Sequence, residues 1–312
     1  MRFKKPLFWD NQRISIWSIF LFPISIIYLF LIWIAKINKY LKFYKKPNIP
    51  IICVGNIYLG GTGKTPLAIE IFKICKSFGK NPAFIKKYYN YLSDEIKMLQ
   101  ASGKTYTNYK RQTSISLSIS NNHDLAILDD GFQDLTIKPD FSVICFNSKQ
   151  MIGNGLLIPS GPLRERLSAI KRADCVIING NKNLEFENKL FQILGNKKSL
   201  DIFYSKYKII NINTFRNKKL TAFAGIGNPS NFFDLLKENN LNVERTFSFP
   251  DHHEYSENDF KKITDDNPNK IVTTEKDYLR MTDLQKQRCE FVKVSLEIEN
   301  KDKFKEILKN YL

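Results

Sequence analysis

Acidic residues are in short supply. The 312-residue chain has 31 Asp and Glu against 48 Lys and Arg, a formal net charge of +17. An excess of that size implies an anionic partner: nucleic acid, an anionic membrane or a phosphorylated substrate. The patterns that would select nucleic acid are missing, since no RRM-like, zinc-finger or helix-turn-helix signature occurs. Cysteine is also scarce. The five, at positions 53, 75, 145, 175 and 289, form no C-x-x-C pair and no Cys/His cluster. That argues against structural zinc. An odd number of cysteines, mostly inside apolar runs, reads as reduced thiols in a cytosolic setting, packed as small apolar residues. No fixed-period repeat or long low-complexity tract is present. With 43% hydrophobic and 25% charged residues, the chain can bury the core of one large α/β domain or two smaller ones.

Formal charge is absent from Ile14 to Ala35, a run of 22 residues. As a helix this run is about 33 Å long, enough to cross a bilayer core. Trp17, Tyr28 and Trp33 suit a membrane interface. Pro23, near the middle, predicts a kink or break. The length of the run and the lack of a small-residue cleavage site after it argue against a signal peptide. Basic flanks lie on both sides: Arg2, Lys4, Lys5 and Arg13 before, and Lys36, Lys39, Lys42, Lys45 and Lys46 after. Two positive flanks fit a segment whose ends both stay on the anionic side of a membrane. The sequence leaves open whether this helix spans the bilayer or lies in one face.

The next stretch organises the chain. Ile51-Ile52-Cys53-Val54 reads as a buried strand, Gly60, Gly61, Thr62 and Gly63 form a turn, and Lys64-Thr65 opens a helix. Strand, glycine turn, Lys-Thr and helix is the layout of a phosphate-binding loop. Its glycines let backbone N–H groups turn toward a polyphosphate, and the helix N-terminus adds donors and a positive dipole end. Lys64 is placed to reach the β/γ-phosphates of ATP, and the Thr65 hydroxyl to ligate Mg²⁺. The outer glycine of the strict pattern is missing, because Tyr58 stands there.

Further on, Pro82 to Ile85 reads as a second strand. Ser93-Asp94-Glu95 then reads as a helix start, which by itself makes Asp94 a first-turn acid. The apolar run 125–128 ends in Asp129-Asp130-Gly131. Downstream of a phosphate loop, a carboxylate at such a strand end completes a Mg²⁺ shell. Pro159 to Glu165 reads as a loop entering a helix. There Arg164 and Glu165 are either a surface pair or a phosphate-binding Arg beside a carboxylate near the metal. Runs 141–146 and 174–179 are further strands, giving a P-loop NTPase-like α/β fold with a doubly wound parallel sheet. The Lys- and Asn-rich stretch 181–219 marks a boundary. A second strand–glycine–helix unit restarts at Lys219, and Pro250-Asp251-His252-His253 and a strand at 270–274 follow. The expected organisation is an N-terminal membrane-associated segment over 1–46, a P-loop domain over 47–205, and linker strands with a smaller α/β domain over 206–312.

Together these motifs resemble the tetraacyldisaccharide 4'-kinase family of lipid A biosynthesis. The resemblance rests on VGNIYLGGTGKTP (54–66), SDE (93–95), LDDGFQ (128–133), PSGPLRE (159–165), AFAGIGNPSNFF (222–233), FPDHH (249–253) and TTEKD (273–277). The family loop is itself V-G-N-x3-G-G-T-G-K-T-P, which accounts for Tyr58. Two places depart from the family. Its Ser-Arg-Gly-Tyr-Gly run after the second strand reads Ile85-Lys86-Lys87-Tyr88-Tyr89 here, and its Gln-His pair reads Gln133-Asp134. The resemblance implies transfer of the ATP γ-phosphoryl group to the 4'-hydroxyl of an acylated glucosamine disaccharide 1-phosphate. In that reading Asp94 is the base and His252 orients or tunes it, with Lys64 catalytic. Thr65, Asp129, Asp130 and Glu165 are Mg²⁺-shell candidates, and Arg164 is a phosphate contact. It also implies a site at the cytoplasmic face of the inner membrane, among anionic lipid. The competing sequence reading is a membrane-bound partitioning ATPase of the deviant-Walker type. That type places a signature lysine where Leu59 stands.

Overall fold

Strands buried on both faces need no polar alternation, and the runs 51–55, 125–129, 141–147 and 175–179 show none: every residue in them is buried. Such strands form the middle of parallel sheets covered by helices. In the computed structural model, which describes residues 5–40, 46–89, 93–195, 200–264 and 269–312, they do. Arg2, Lys4, Lys42 and Lys45 of the basic flanks lie outside the described residues, as do the side chains of Lys36 and Lys39.

In chain order the elements are α1 (Ile16–Tyr40), β1 (Ile51–Gly55), α2 (Lys64–Ser77), β2 (Pro82–Lys87), α3 (Ser93–Ser102), β3 (Thr105–Asn108), α4 (Arg111–Ser120), β4 (Leu125–Asp129), β5 (Phe141–Asn147), β6 (Cys175–Asn179), α5 (Leu184–Leu194) and β7 (Asp201–Ile209). Then come β8 (Lys219–Ala224), α6 (Pro229–Glu238), β9 (Asn242–Ser248), α7 (Glu257–Thr264), β10 (Lys270–Thr274), α8 (Glu275–Tyr278), α9 (Asp283–Lys286), β11 (Glu290–Val292), β12 (Val294–Ile298) and α10 (Lys301–Lys309).

The chain divides into two compact units. The first comprises Met1–Tyr88, Gly103–Lys206 and Glu297–Leu312, and the second Tyr89–Ser102 and Tyr207–Leu296. The larger sheet runs β12-β7-β6-β5-β1-β4-β2-β3. Every pairing from β7 through to β3 is parallel. Strand order reverses about β1, with β4, β2 and β3 on one side and β5, β6 and β7 on the other. The carboxyl end of β1 is therefore a topological switch point, where ligands of open α/β sheets bind. This is a P-loop NTPase-like, doubly wound α/β architecture. The second unit has its own parallel sheet, β11-β10-β8-β9. Its core includes Leu220, Ala222, Phe232, Leu236 and Val272.

The units cut the chain differently from the three consecutive segments read from the sequence. Helix α3 goes with the second unit because its charged residues are tied there. Lys97 donates to the Leu279 carbonyl at 3.1 Å, and Lys276 reaches Glu95 at 3.3 Å. Helix α10 returns to the first unit, where Phe304 packs edge-on against Phe203 and Lys301 pairs with Glu70 at 2.6 Å.

Helix α1 is inverted relative to a water-soluble helix. Ser18 and Ser25 are buried, while Ile16, Trp17, Ile19, Phe20, Ile27 and Leu31 are exposed. Ser25 donates to the Leu157 carbonyl at 3.0 Å, Asn154 donates to Ser18 Oγ at 3.0 Å, and Tyr28 donates to the Arg164 carbonyl at 3.1 Å. Residues Ile16–Ala35 are long and apolar enough to cross a membrane. Of the expected kink or break at Pro23, the break does not occur: the helix continues through it. One proline removes a single N–H from the ladder, and the bonds on either side can carry the helix past it. All five cysteines are free and buried. Burial raises the Cys53, Cys75 and Cys289 thiols to about 12, so they pack as protonated apolar groups.

Candidate active site

In the first unit the site is built on the β1–α2 turn. Gly60 and Gly63 have φ of 138° and 93°, values that side chains with a Cβ rarely adopt. Gly63 caps α2, so the helix opens at Lys64. Inside the turn, the buried Asn56 side chain donates to Thr62 Oγ1 at 2.9 Å. From outside, Leu59 N donates to the Pro162 carbonyl at 2.8 Å, and Arg164 N to the Ile57 carbonyl at 2.8 Å. The loop after Pro159 thus braces the phosphate turn.

Strand register brings the charges in. Val54 on β1 lies opposite Asp129 on β4, and Lys86 on β2 lies opposite the same aspartate. Thr65 Oγ1 donates to Asp129 Oδ2 at 2.9 Å, and Lys86 Nζ donates to it at 2.7 Å. Among the described residues no group hydrogen-bonds Asp129 Oδ1, which is buried. Asp130 is occupied differently. Arg164 grips both its oxygens, at 2.7 and 3.1 Å, and Lys64 Nζ lies 4.0 Å away. Burial alone would raise the Asp130 pKa, but Lys64, Arg164 and Lys86 hold it far below the ordinary carboxylate range. Glu165 is likewise held at both oxygens, by Arg172 at 2.9 and 3.0 Å.

Magnesium takes hard oxygen ligands, few from protein and the rest from phosphate and water. The Thr65 hydroxyl and the open oxygen of Asp129 fit that demand. Among the described residues no cluster of three or more His, Cys, Asp or Glu could hold a metal unaided.

In the second unit a separate constellation surrounds Asp94. This aspartate is fully buried on the first turn of α3. Its Oδ1 accepts Glu95 N at 2.9 Å. Its Oδ2 faces Arg280 Nη1 at 3.1 Å and His252 Nδ1 at 3.2 Å, with Lys276 Nζ at 3.8 Å. Burial pushes the Asp94 pKa up, but His252, Lys276 and Arg280 outweigh it and leave the group below its ordinary value. His252 has a left-handed φ of 56°, and its N–H donates to the Gly225 carbonyl at 3.1 Å. Gly225 is in turn fixed by Asp277, which accepts its N–H at 3.1 Å. A Cβ on Gly225 would lie 2.9 Å from the Tyr255 hydroxyl and 3.1 Å from His253 Cβ. The neighbouring His253 pairs with Asp259 at 3.1 Å.

The family model described as LpxK, tetraacyldisaccharide-1-P 4'-kinase, matches residues 17–312. The chain belongs to this family. A tetraacyldisaccharide 4'-kinase of Pelagibacter ubique is 43% identical over 96% of this chain and 95% of its own. One from Francisella tularensis subsp. novicida is 31% identical over 93% of this chain and 98% of its own. The crystal structure of LpxK from Aquifex aeolicus in complex with ATP superposes with a TM-score of 0.73, covering 94% of this chain and 99% of that one at 23% identity. That likeness shows the fold.

Against this background the sequence-read residues fall into two groups. Lys64, Thr65, Asp129, Asp130, Arg164 and Glu165 gather around the turn of Gly60, Gly61, Thr62 and Gly63 in the first unit. Asp94 and His252 meet in the second. The sequence reading gave no role to three residues that the structure brings in. Lys86 lay in the altered run, at the end of β2, and only strand register reveals that it opposes Asp129. Lys276 was inside the quoted TTEKD motif without a function. Arg280 lay beyond that motif, one helical turn after Asp277.

Proposed function

We propose that this chain transfers the γ-phosphoryl group of ATP to the 4'-hydroxyl of an acylated glucosamine disaccharide 1-phosphate. The observation that carries the reading is the convergence of Lys64, Thr65 and Asp129 on a glycine turn in a chain whose family match runs almost end to end. The turn's N–H groups and Lys64 hold the polyphosphate in place, and Arg164 supplies a second fixed cation. Thr65 and Asp129 would hold magnesium, which when bound neutralises charge on the phosphate oxygens. Asp130 and Glu165, the other shell candidates, come to the metal only by releasing Arg164 and Arg172.

The attacking 4'-oxygen forms a bond to the γ-phosphorus as the bridging bond to the β-phosphate breaks, and ADP leaves with that electron pair. The hydroxyl proton passes to Asp94, whose neighbours keep it ionised and ready to accept. His252, beside its Oδ2, orients that carboxylate.

A substrate with several acyl chains stays in the bilayer, so the enzyme has to meet it there. The inverted helix α1 supports attachment. Its serines and Tyr28 bond the 154–164 loop of the first unit over ten positions, and its apolar side chains face outward. A helix docked over that length lies in one membrane face rather than crossing it, and the chain's positive charge suits the anionic cytoplasmic leaflet of the inner membrane.

The test is labelled ATP with purified lipid A precursor, following label into the lipid fraction. Transfer by the wild type and its loss in Lys64→Ala is the expected result. ATP hydrolysis without lipid labelling would instead favour a deviant-Walker ATPase, which Leu59 already argues against.

A further inference from the structure

Lys86 is a lysine with almost no exposed surface, at the end of the strand next to β4. Buried lysines are rare and need a partner. The partner here is Asp129, at 2.7 Å. Around the phosphate turn, Asp130 is answered by Arg164 and Lys64. The cation bonded to Asp129 is Lys86. Take that ammonium away and a fully buried carboxylate would stand beside Thr65 at the mouth of the phosphate loop, repelling any polyphosphate that arrived without metal. Lys86 bonds Asp129 at Oδ2, and Oδ1 has no hydrogen-bond donor among the described residues while the charge is balanced.

We propose that Lys86 is a built-in counter-charge for Asp129 that lets the loop accept nucleotide before, and independently of, the divalent cation. Lys86 is a positioning residue acting through Asp129. The inference rests on the phosphate loop binding ATP as proposed above. Strand register puts Lys86 opposite the strand-end aspartate, at the place where the family's run has its arginine, so a cation stands at this position in both.

The test is equilibrium ATP binding to the full chain, by calorimetry, in EDTA and in excess Mg²⁺. Wild type binds in both conditions. Lys86→Met is expected to weaken binding about tenfold or more in EDTA, an unscreened like-charge effect, and by only about threefold in Mg²⁺, where the cation replaces the missing charge. Asp129→Asn leaves Lys86 uncompensated and is expected to bind metal-free ATP more tightly than wild type. The double variant Lys86→Met/Asp129→Asn returns toward wild type in EDTA. Removing the Asp129 charge favours metal-free ATP whatever Lys86 does, so the coupling decides: a merely structural lysine predicts that Lys86→Met weakens metal-free binding equally with and without Asp129→Asn, and Lys86→Gln supplies that arm where Lys86→Met fails to fold. Metal-free affinity that is unmeasurable in wild type, unchanged in Lys86→Met or not raised in Asp129→Asn overturns the proposal. Lys64→Ala separates the two layers: ATP affinity unaffected by that change, with Mg²⁺ present, removes the loop reading itself and this inference with it.

Discussion

Asp129 and Asp94 are both fully buried, yet the protein leaves them in opposite conditions. Asp129 has one oxygen taken by Thr65 and Lys86 and one with no hydrogen-bond donor among the described residues. Asp94 has both oxygens engaged, one by a backbone N–H and the other by Arg280 and His252. Leaving a buried oxygen without a donor is unfavourable unless something else binds there, which is what the proposed magnesium would do at Asp129. The crowding at Asp94 does something else. It keeps the group ionised and fixed in orientation, as a proton acceptor requires. In the proposed function the same residue type serves a cation in one unit and a proton in the other.

The most severe way to break this contrast is at the phosphate turn. Lys64→Ala is expected to lower phosphoryl transfer on the order of 10³-fold, since it removes a fixed charge that acts on the transferring group. Single-turnover transfer with labelled ATP measures it. Asp94→Asn is next. It keeps the shape and loses the base, with an expected fall in kcat of about 10² to 10⁴. The affinity for ATP should not change. If ATP affinity fell in step with kcat, Asp94 would belong with Asp129 as a nucleotide-side group and the contrast would fail.

A subtler test uses pH. His252, Lys276 and Arg280 stabilise the charged form of Asp94, against burial, and place its pKa below the ordinary carboxylate value. The acid limb of kcat/KM should therefore lie below the ordinary carboxylate range. Arg280→Gln removes one stabilising charge, so the Asp94 pKa should rise and the limb should move to higher pH. The same sign governs stability. A carboxyl with a depressed folded pKa stabilises the fold above its unfolded pKa, and that contribution is lost as pH falls through the folded value. Wild type should lose this contribution only in that acid window, and Arg280→Gln should lose it at higher pH. An acid limb unmoved in Arg280→Gln would mean another group sets it.

The two aspartates also differ in how far the sequence betrays them. Asp129 ends an all-apolar strand downstream of a glycine turn, and both signals are contiguous. Parallel pairing of β1 with β4 then brings Thr65 and Asp129 together almost by necessity. Asp94 reads locally as an ordinary first-turn acid. Its partners come from the loop after β9 and from the segment α8 to Arg280, more than 150 positions away. Nothing in the local pattern at Ser93-Asp94-Glu95 encodes that meeting, and only the family resemblance anticipated His252. Lys86 was invisible for a related reason. An apolar run ending in Lys-Lys reads as a strand entering solvent, and only the cross-strand register shows that Lys86 turns inward while the chain moves on. The long apolar helix was plain from composition, but the serines that dock it were not. In an apolar run, isolated serines carry no signal until their acceptors on the 154–164 loop are seen.

The smallest expected effect lies on the Asp129 side, where α1 bonds the loop that carries Arg164. Tyr28→Phe deletes one hydrogen bond to the Arg164 carbonyl, and Ser25→Ala deletes those to Leu157 and Ser160. Each should lower stability by about 1 kcal/mol, readable as a shift in the urea midpoint. Their effect on catalysis should be modest and should appear in ATP hydrolysis and lipid transfer alike, because they loosen the brace behind Arg164 rather than the contact with lipid. Replacing the outward residues Phe20, Ile27 and Leu31 by serine should do the reverse. Those side chains are 73%, 60% and 59% exposed, so the fold has little use for them, and the loss should fall on transfer to micellar lipid while hydrolysis is kept. If the inward and outward substitutions behaved alike, α1 would be a structural helix, and its polar and apolar faces would not divide the work between the loop and the membrane.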